Sequence, residues 1–330
     1  MAVIFLIVTV YGATGFSDRL LDSIINEQVR GVRQSLAESI RDPEALEAVV
    51  QVQRAELEES YGLNVPWYFR LPGMIARVLT LDLGDARVLK SFSGSSKVSD
   101  LILERLPNTV ILVTTALLIS AAIGIYVGTK LATKIGSRTD RITSILSATS
   151  FALPTWWLGI ILILLLSFKL SIFPSGGLLS APPPEGQLAR FLDTLWHATL
   201  PVITLVLVSL GGWIYVTRTI VLNTAQEDFV NVARAKGLTE DQVIRKYILR
   251  VSISPVLTNL ILGLSGSLGG AILTETVFNW PGMGRLFYDA ILAVDESVIV
   301  ALTFIFAVLY VGARFILEVL YVILDPRVRY

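Results

Sequence analysis

Residues 228–255, DFVNVARAKGLTEDQVIRKYILRVSISP, form the one long polar stretch held between strongly apolar ones near the middle of the chain. The run Phe229 to Gly237 combines helix formers with an apolar face at Phe229, Val232 and Ala233, and it closes on a glycine that can end a helix in a left-handed cap. A helix this short is marginal alone and needs a partner. An apolar face with basic flanks suits an element seated in the groove of another protein; the plainer reading is a solvated basic loop between two apolar spans.

Outward from this handle, composition sets the class. The chain has 330 residues, 53% of them hydrophobic and only 16% charged, and its mean hydropathy is +0.67. That is far more apolar than a soluble domain of this length and places the chain in a lipid bilayer. The formal net charge is zero, which argues against nucleic acid as a partner. Without cysteine there is no disulfide and no thiolate metal site. The single histidine, His197, makes a histidine-built metal centre or proton relay a poor fit.

Residues 1–16, MAVIFLIVTVYGATGF, read as a first transmembrane helix slightly short of the roughly 20 residues that cross a bilayer. They lack the basic start and small-residue cleavage site of a signal peptide. From Ser17 to about Arg105 the chain turns polar, and this 17–105 stretch reads as an insertion on the extracytoplasmic side. Its first part has helical spacing; Asp42 is placed to cap a second helix that starts with Pro43 and carries Glu44 and Glu47 in its first turn. Five more apolar segments follow, at about 107–129, 142–168, 198–217, 252–274 and 297–323. The expected fold is therefore an all-α polytopic membrane protein with six transmembrane helices. Its core spans 106–330 and carries a loop at 218–251.

Loop charge sets the expected orientation. Lys130, Lys134, Arg138 and Arg141 lie in one turn, Arg218, Arg234, Lys236, Arg245, Lys246 and Arg250 in the 218–251 loop, and Arg327 and Arg329 in the tail. These loops belong inside, with both termini cytoplasmic. The balanced or acidic loops at 169–196 and 275–296 belong outside. Gly124-x-x-x-Gly128 and Gly263, Gly266, Gly269 and Gly270 suit close helix packing in lipid.

Several separated landmarks now converge. Asp228, Phe229, Ala233 to Leu238 and Pro255 resemble the cytoplasmic loop of ABC importer permeases of the dipeptide, oligopeptide and nickel branch. The glutamate and alanine of the general form of that loop are Asn231 and Val232 here. Tyr61 to Pro66, Leu81 to Gly84, Glu104 to Thr109, Ser150 to Gly159, Phe173 to Gly177, His197 to Pro201, Glu275 to Leu286 and Tyr321 to Arg329 resemble further landmarks of the same family, in the same order. The resemblance covers residues 61 to the end. Members of that family usually carry a few more residues, arginines among them, ahead of the first span, so the start here reads as short or truncated. The resemblance implies that Asp228, Phe229, Val232, Ala233, Arg234, Ala235, Lys236, Gly237 and Leu238 couple the chain to an ATPase subunit. It also implies that Glu275, Phe278, Asn279 and Trp280 belong to an outer gate, beside which Trp156 and Trp157 are candidates for the translocation path. The implied partners are a second, related permease, two ABC ATPase subunits and an extracytoplasmic solute-binding protein.

No G-x-x-x-x-G-K-[ST] phosphate loop occurs in the sequence. No cofactor is expected in this chain; ATP and magnesium would be bound by partner subunits. No catalytic residue is assigned. Peptides are the commonest cargo that the resemblance implies, with nickel or oligosaccharides as alternatives. Two other function classes compete with this one. Gly263-Leu264-Ser265-Gly266 matches the serine motif of an intramembrane protease, although His197 sits at a helix start. An ion-gradient transporter would need carboxylates in mid-membrane. Arg314 and Glu318, four apart, share a helix face and can pair.

Overall fold

The computed structural model describes residues 16–37, 40, 42–60, 69, 83–132 and 137–324. Residues 1–15 of the expected first span at 1–16, the landmarks at 61–66 and 81–82, Lys134 and the tail at 325–330 lie outside these. Among the described residues the protein is all-helical, with a lone antiparallel bridge between Asp85 and Lys97 and no strand. Four helical stretches are long and apolar enough to cross a membrane: Val98–Ala132, Gln187–Ala225, Glu240–Ser267 and Glu296–Val319. A bent pair, Arg138–Ala152 with Thr155–Lys169, makes a fifth if it counts as one span.

The chain divides into two compact units, Met1–Glu104 with Phe287–Ile305, and Arg105–Leu286 with Phe306–Tyr330. In the first unit, α1 (Phe16–Ala37) and α2 (Pro43–Ser60) pack as a hairpin around Ile25, with Leu57 and Val88 against it. Asp42 caps α2 as its spacing predicts, its Oδ1 accepting the Glu44 N–H at 3.1 Å. Arg54 ties the two helices together through Asp22 at 2.9 Å. Residues 287–305 join the same unit, although the sequence separates them from it by Arg105–Leu286. Asp295 is fully buried and accepts the Val88 and Leu89 N–H groups at 2.8 and 3.1 Å, and Arg87 pairs with Glu296 at 3.2 Å.

The second unit begins within α3 (Val98–Thr109), which continues through the π turn Val110–Thr114 into α4 (Thr115–Ala132) as one long helical stretch. This stretch lies along α7 (Gln187–Ala225). The Gly124-x-x-x-Gly128 spacing makes that contact: a Cβ on Gly124 would fall 2.4 Å from the Cβ of Trp213. Gly266, by contrast, faces open space, so only part of the second glycine set serves close packing.

Two expected spans differ from the structure. The segment 142–168 is bent by 95° between α5 (Arg138–Ala152) and α6 (Thr155–Leu162), which runs on into the π turn Ile163–Lys169. The cause is Pro154, whose ring pushes the preceding residue out of the helical region; Leu153 is extended, at φ −78° and ψ 128°. The segment 252–274 ends early as well. α10 (Leu249–Ser267) stops at Ser267, and Glu275 sits on a separate short helix, α11 (Ile272–Val277).

Candidate functional site

The polar handle folds as α8 (Asp228–Ala235), one turn beyond the end of α7. Val230 and Ala233, three apart and so on one face, are buried against Val221, Val243, Ile248 and Ala132. Phe229 and Leu238 pack partly against the same cluster. The sequence pattern put Val232 on the apolar face with Ala233, but one residue turns the helix by about 100°, and Val232 points out, 52% exposed. Asp228, Asn231, Val232, Ala235 and Lys236 make the outward stripe at helical spacing. Gly237 closes the helix with φ +78°, its N–H donating to Arg234 O at 2.9 Å. Arg234 reaches across this turn to Glu240 with both Nε and Nη2, at 3.2 and 2.9 Å. That hydrogen bonding raises its guanidinium pKa above the ordinary arginine value. The next helix, α9 (Glu240–Val243), opens with the Gln242 carboxamide accepting the Thr239 N–H at 3.2 Å. The handle is thus anchored by two side chains and braced at its turn, with its polar stripe facing outward.

The second group of expected site residues is buried. Around α11 the chain doubles back on Asn108 and Thr109, at the end of α3. Glu275 Oε1 accepts from Thr109 Oγ1 at 3.1 Å and from the Ala271 N–H at 3.2 Å, while Oε2 accepts the Arg285 N–H at 2.8 Å. Thr109 Oγ1 accepts the Met283 N–H at 2.7 Å in turn. Asn108 donates to Pro281 O at 2.9 Å, and Trp280 Nε1 donates to Asn108 O at 3.0 Å. Burial pushes the Glu275 carboxyl above its ordinary value, against the opposing pull of the Arg285 and Ala271 N–H groups and the Thr109 hydroxyl. Only a glycine fits at 282, where a Cβ would lie 2.5 Å from Glu275 Oε2. Phe278 and Trp280 are fully buried in a cluster with Leu112, Ala198 and Leu200. Asn279 alone is exposed; it has φ +51° and accepts a hydrogen bond from Arg285 Nη1.

The loop after α6 is held in the same network. The Gly177 N–H donates to Phe278 O at 2.9 Å. His197 is buried, with Nδ1 3.3 Å from Gly176 O and Nε2 3.2 Å from Ser180 Oγ. Asp193 accepts the Ser180 N–H at 2.7 Å. With both ring nitrogens engaged this way, His197 serves the loop rather than Ser265, which removes the geometric basis of a protease. Trp156 and Trp157 are 42% and 45% exposed and stand one turn from Gly159, against which the Phe278 ring packs. The structure therefore brings Phe278 to the helix of the two tryptophans but leaves both indoles outside the buried network. Arg314 lies over the Tyr310 ring, 5.7 Å from its centroid, and donates to Tyr310 OH at 3.3–3.4 Å.

Sequence reasoning missed Val230, Asn108 and Thr109, and the pairing of Arg218 with Asp140. Asn108 and Thr109 stood inside a recognised landmark, which was a usable signal. In the sequence Arg218 reads only as one of the charges of the 218–251 loop.

Residues 120–330 match the protein family described as "Binding-protein-dependent transport system inner membrane component". The chain belongs to that family. Its relatives include the oligopeptide transport system permease protein AppB of Bacillus subtilis (strain 168), 35% identical over 284 residues, 86% of this chain and 87% of the relative. The dipeptide transport system permease protein DppB of Escherichia coli (strain K12) is 31% identical over 295 residues, 84% and 86% of the two chains. The di/tripeptide transport system permease protein DppB of Pseudomonas aeruginosa (strain UCBPP-PA14) is 32% identical over 290 residues, 84% and 85%. The family match takes in both the handle and the Glu275 network, and the relatives' likeness extends ahead of residue 120. The protein is a multi-pass membrane permease subunit of a binding-protein-dependent transport system, working with other transport components; its relatives are permeases rather than enzymes.

Proposed function

We propose that this permease forms half of the path by which peptides cross the membrane, driven by ATP hydrolysed in two separate ABC ATPase subunits. The observation that carries the reading is the outward stripe of α8. Asp228, Val232, Ala235 and Lys236 present a mixed polar and apolar surface, while Val230 and Ala233 fix the helix from behind. Such a helix can seat in a groove and transmit movement, because its base is packed rather than tethered. The phosphate loop that this sequence lacks, with its ATP and magnesium, belongs on that reading to the ATPase subunits. A second permease completes the path, and a solute-binding protein delivers cargo on the opposite side.

Peptides are proposed as cargo because the relatives are named for oligopeptide, dipeptide and di/tripeptide transport. The handle is placed in the cytosol together with both termini, by the basic charge of its loop. Residues 1–16 supply the sixth span, and 17–105 stand outside with the Glu275 segment as an outer gate.

A cysteine-free chain offers a direct test. Val232→Cys gives a single thiol on the outward stripe. A membrane-impermeant maleimide should label it in inside-out vesicles, not in right-side-out ones, and added ATPase subunits should protect it. Labelling from the opposite side, or none of that protection, overturns the docking reading. Uptake of labelled peptide rather than nickel or an oligosaccharide, in liposomes carrying the full complex, tests the cargo.

A further inference from the structure

Two charged residues that neither the coupling stripe nor the outer network uses meet at the base of α7. Arg218 Nε and Nη2 donate to Asp140 Oδ1 and Oδ2 at 2.7 and 2.9 Å, a bidentate pair with Asp140 buried. Asp140 stands in the first turn of α5, where its N–H donates to Ser137 Oγ at 3.1 Å and its charge complements the helix N-terminus.

Position gives the pair its meaning. Arg218 lies on α7 one turn above Val221, which packs against Val230 and Ala233 of the handle. About two turns below Arg218, Thr224 Oγ1 accepts from Ser252 Oγ of α10 at 3.1 Å. On the other side of the pair, α5 is fitted along α7 at two further levels. A Cβ on Gly211 would fall 2.3 Å from Ser147 O, and Ser150 Oγ donates to the carbonyls of Leu207 and Val208, the latter at 3.0 Å. α5 then reaches the 95° bend at Leu153–Pro154 and passes into the helix of Trp156, Trp157 and Gly159, which touches Phe278. A packed route therefore runs from the handle through α7 and α5 to the bend, and Arg218–Asp140 is the charged clasp at its lower end.

We propose that Asp140 and Arg218 are positioning residues for energy coupling: the pair makes α5 move with the handle, so that handle motion reaches the bent α5–α6 pair. The proposal rests on the docking role of α8. A packed route alone is only an associational argument, and the coupling itself must be measured. The clasp is built for this because a bidentate pair with its carboxylate buried has one geometry, whereas a single lysine contact at the same place would allow sliding.

The test uses the full complex in liposomes, with ATPase subunits and solute-binding protein, and reads ATP hydrolysed per peptide taken up. Asp140→Asn should keep the ATPase subunits bound and hydrolysis within about twofold of wild type. Uptake should fall about tenfold, within the usual range of a coupling effect, so the ratio rises about tenfold. Exchanging the pair, Asp140→Arg with Arg218→Asp, should bring the ratio back toward wild type. An unchanged ratio in Asp140→Asn overturns the proposal, whether uptake is normal or falls in step with hydrolysis. So does loss of the ATPase subunits from that variant, which would make the pair a folding contact only. Val232→Glu separates the two ideas. If it releases the ATPase subunits while Asp140→Asn leaves the ratio unchanged, docking stands and the clasp falls; if it releases nothing, the docking role itself falls.

Discussion

The handle α8 and the segment around α11 are both short helices next to a chain reversal, and they use their polar residues in opposite ways. In α8 the polar groups point away from the protein and two small apolar side chains hold the helix down. Around α11 the polar groups point inward, and Glu275, Thr109 and Asn108 satisfy one another and the backbone of 271–285. A polar helix that leaves its stripe outward leaves it open to another molecule, as proposed for α8. One that turns its carboxylate inward commits it to its own fold.

That contrast predicts unequal responses to substitution. Glu275→Ala should do the most damage. It strands the Ala271 and Arg285 N–H groups and the Thr109 hydroxyl, and an unsatisfied buried group costs roughly 1–3 kcal/mol. A loss of about 3 kcal/mol or more is expected, read as a large fall in melting temperature in detergent; a near-wild-type melt would mean that 271–285 holds without its carboxylate.

The handle supplies the middle case and its own control. Ala233→Glu buries a charge against Val221 and Val243 and should cost about 2–4 kcal/mol. Val232→Glu, one residue earlier, should leave the melt within about 0.5 kcal/mol of wild type, as exposed substitutions do. Equal destabilisation of both would erase the distinction between an inward and an outward face. For the same reason, loss of ATPase binding is diagnostic of docking at Val232 and not at Ala233, where lost packing produces the same result.

The smallest effect concerns pH. Because burial raises the Glu275 carboxyl, the folded protein holds this proton to higher pH than the unfolded chain does. Stability from this group is therefore present at low pH and declines as pH rises from the ordinary carboxyl value through the raised one. Melting temperatures of wild type minus Glu275→Gln should fall across that window and level off above it. A difference that rises with pH would mean that the donors outweigh burial.

Much of this was legible beforehand. The alternation of apolar and polar stretches reports partition between lipid and water, which depends on composition over about 20 residues and little on tertiary contacts. The capping of α2 by Asp42 and the left-handed close of α8 at Gly237 are likewise local, set by a few neighbouring φ and ψ angles. Pro154 carried a local signal too, but the apolar run of 142–168 reads as one straight span; the proline restriction on Leu153 prevailed over hydropathy. Periodicity failed in α8 because, in eight residues, one choice among Phe229, Val230, Val232 and Ala233 rotates the apolar face, and only the neighbours decide which way it turns.

The sequence alone determined that this protein lives in a membrane, that α2 starts behind Asp42 and that α8 closes at Gly237, since each of these is fixed by short-range chemistry. Tertiary structure alone decided which face of the handle is anchored, that Glu275 belongs to Thr109 at 166 residues' remove, and that Arg218 belongs to Asp140 at 78. Those pairings depend on how long helices lie against one another, a choice made by the whole packed arrangement and written in no single stretch of the chain.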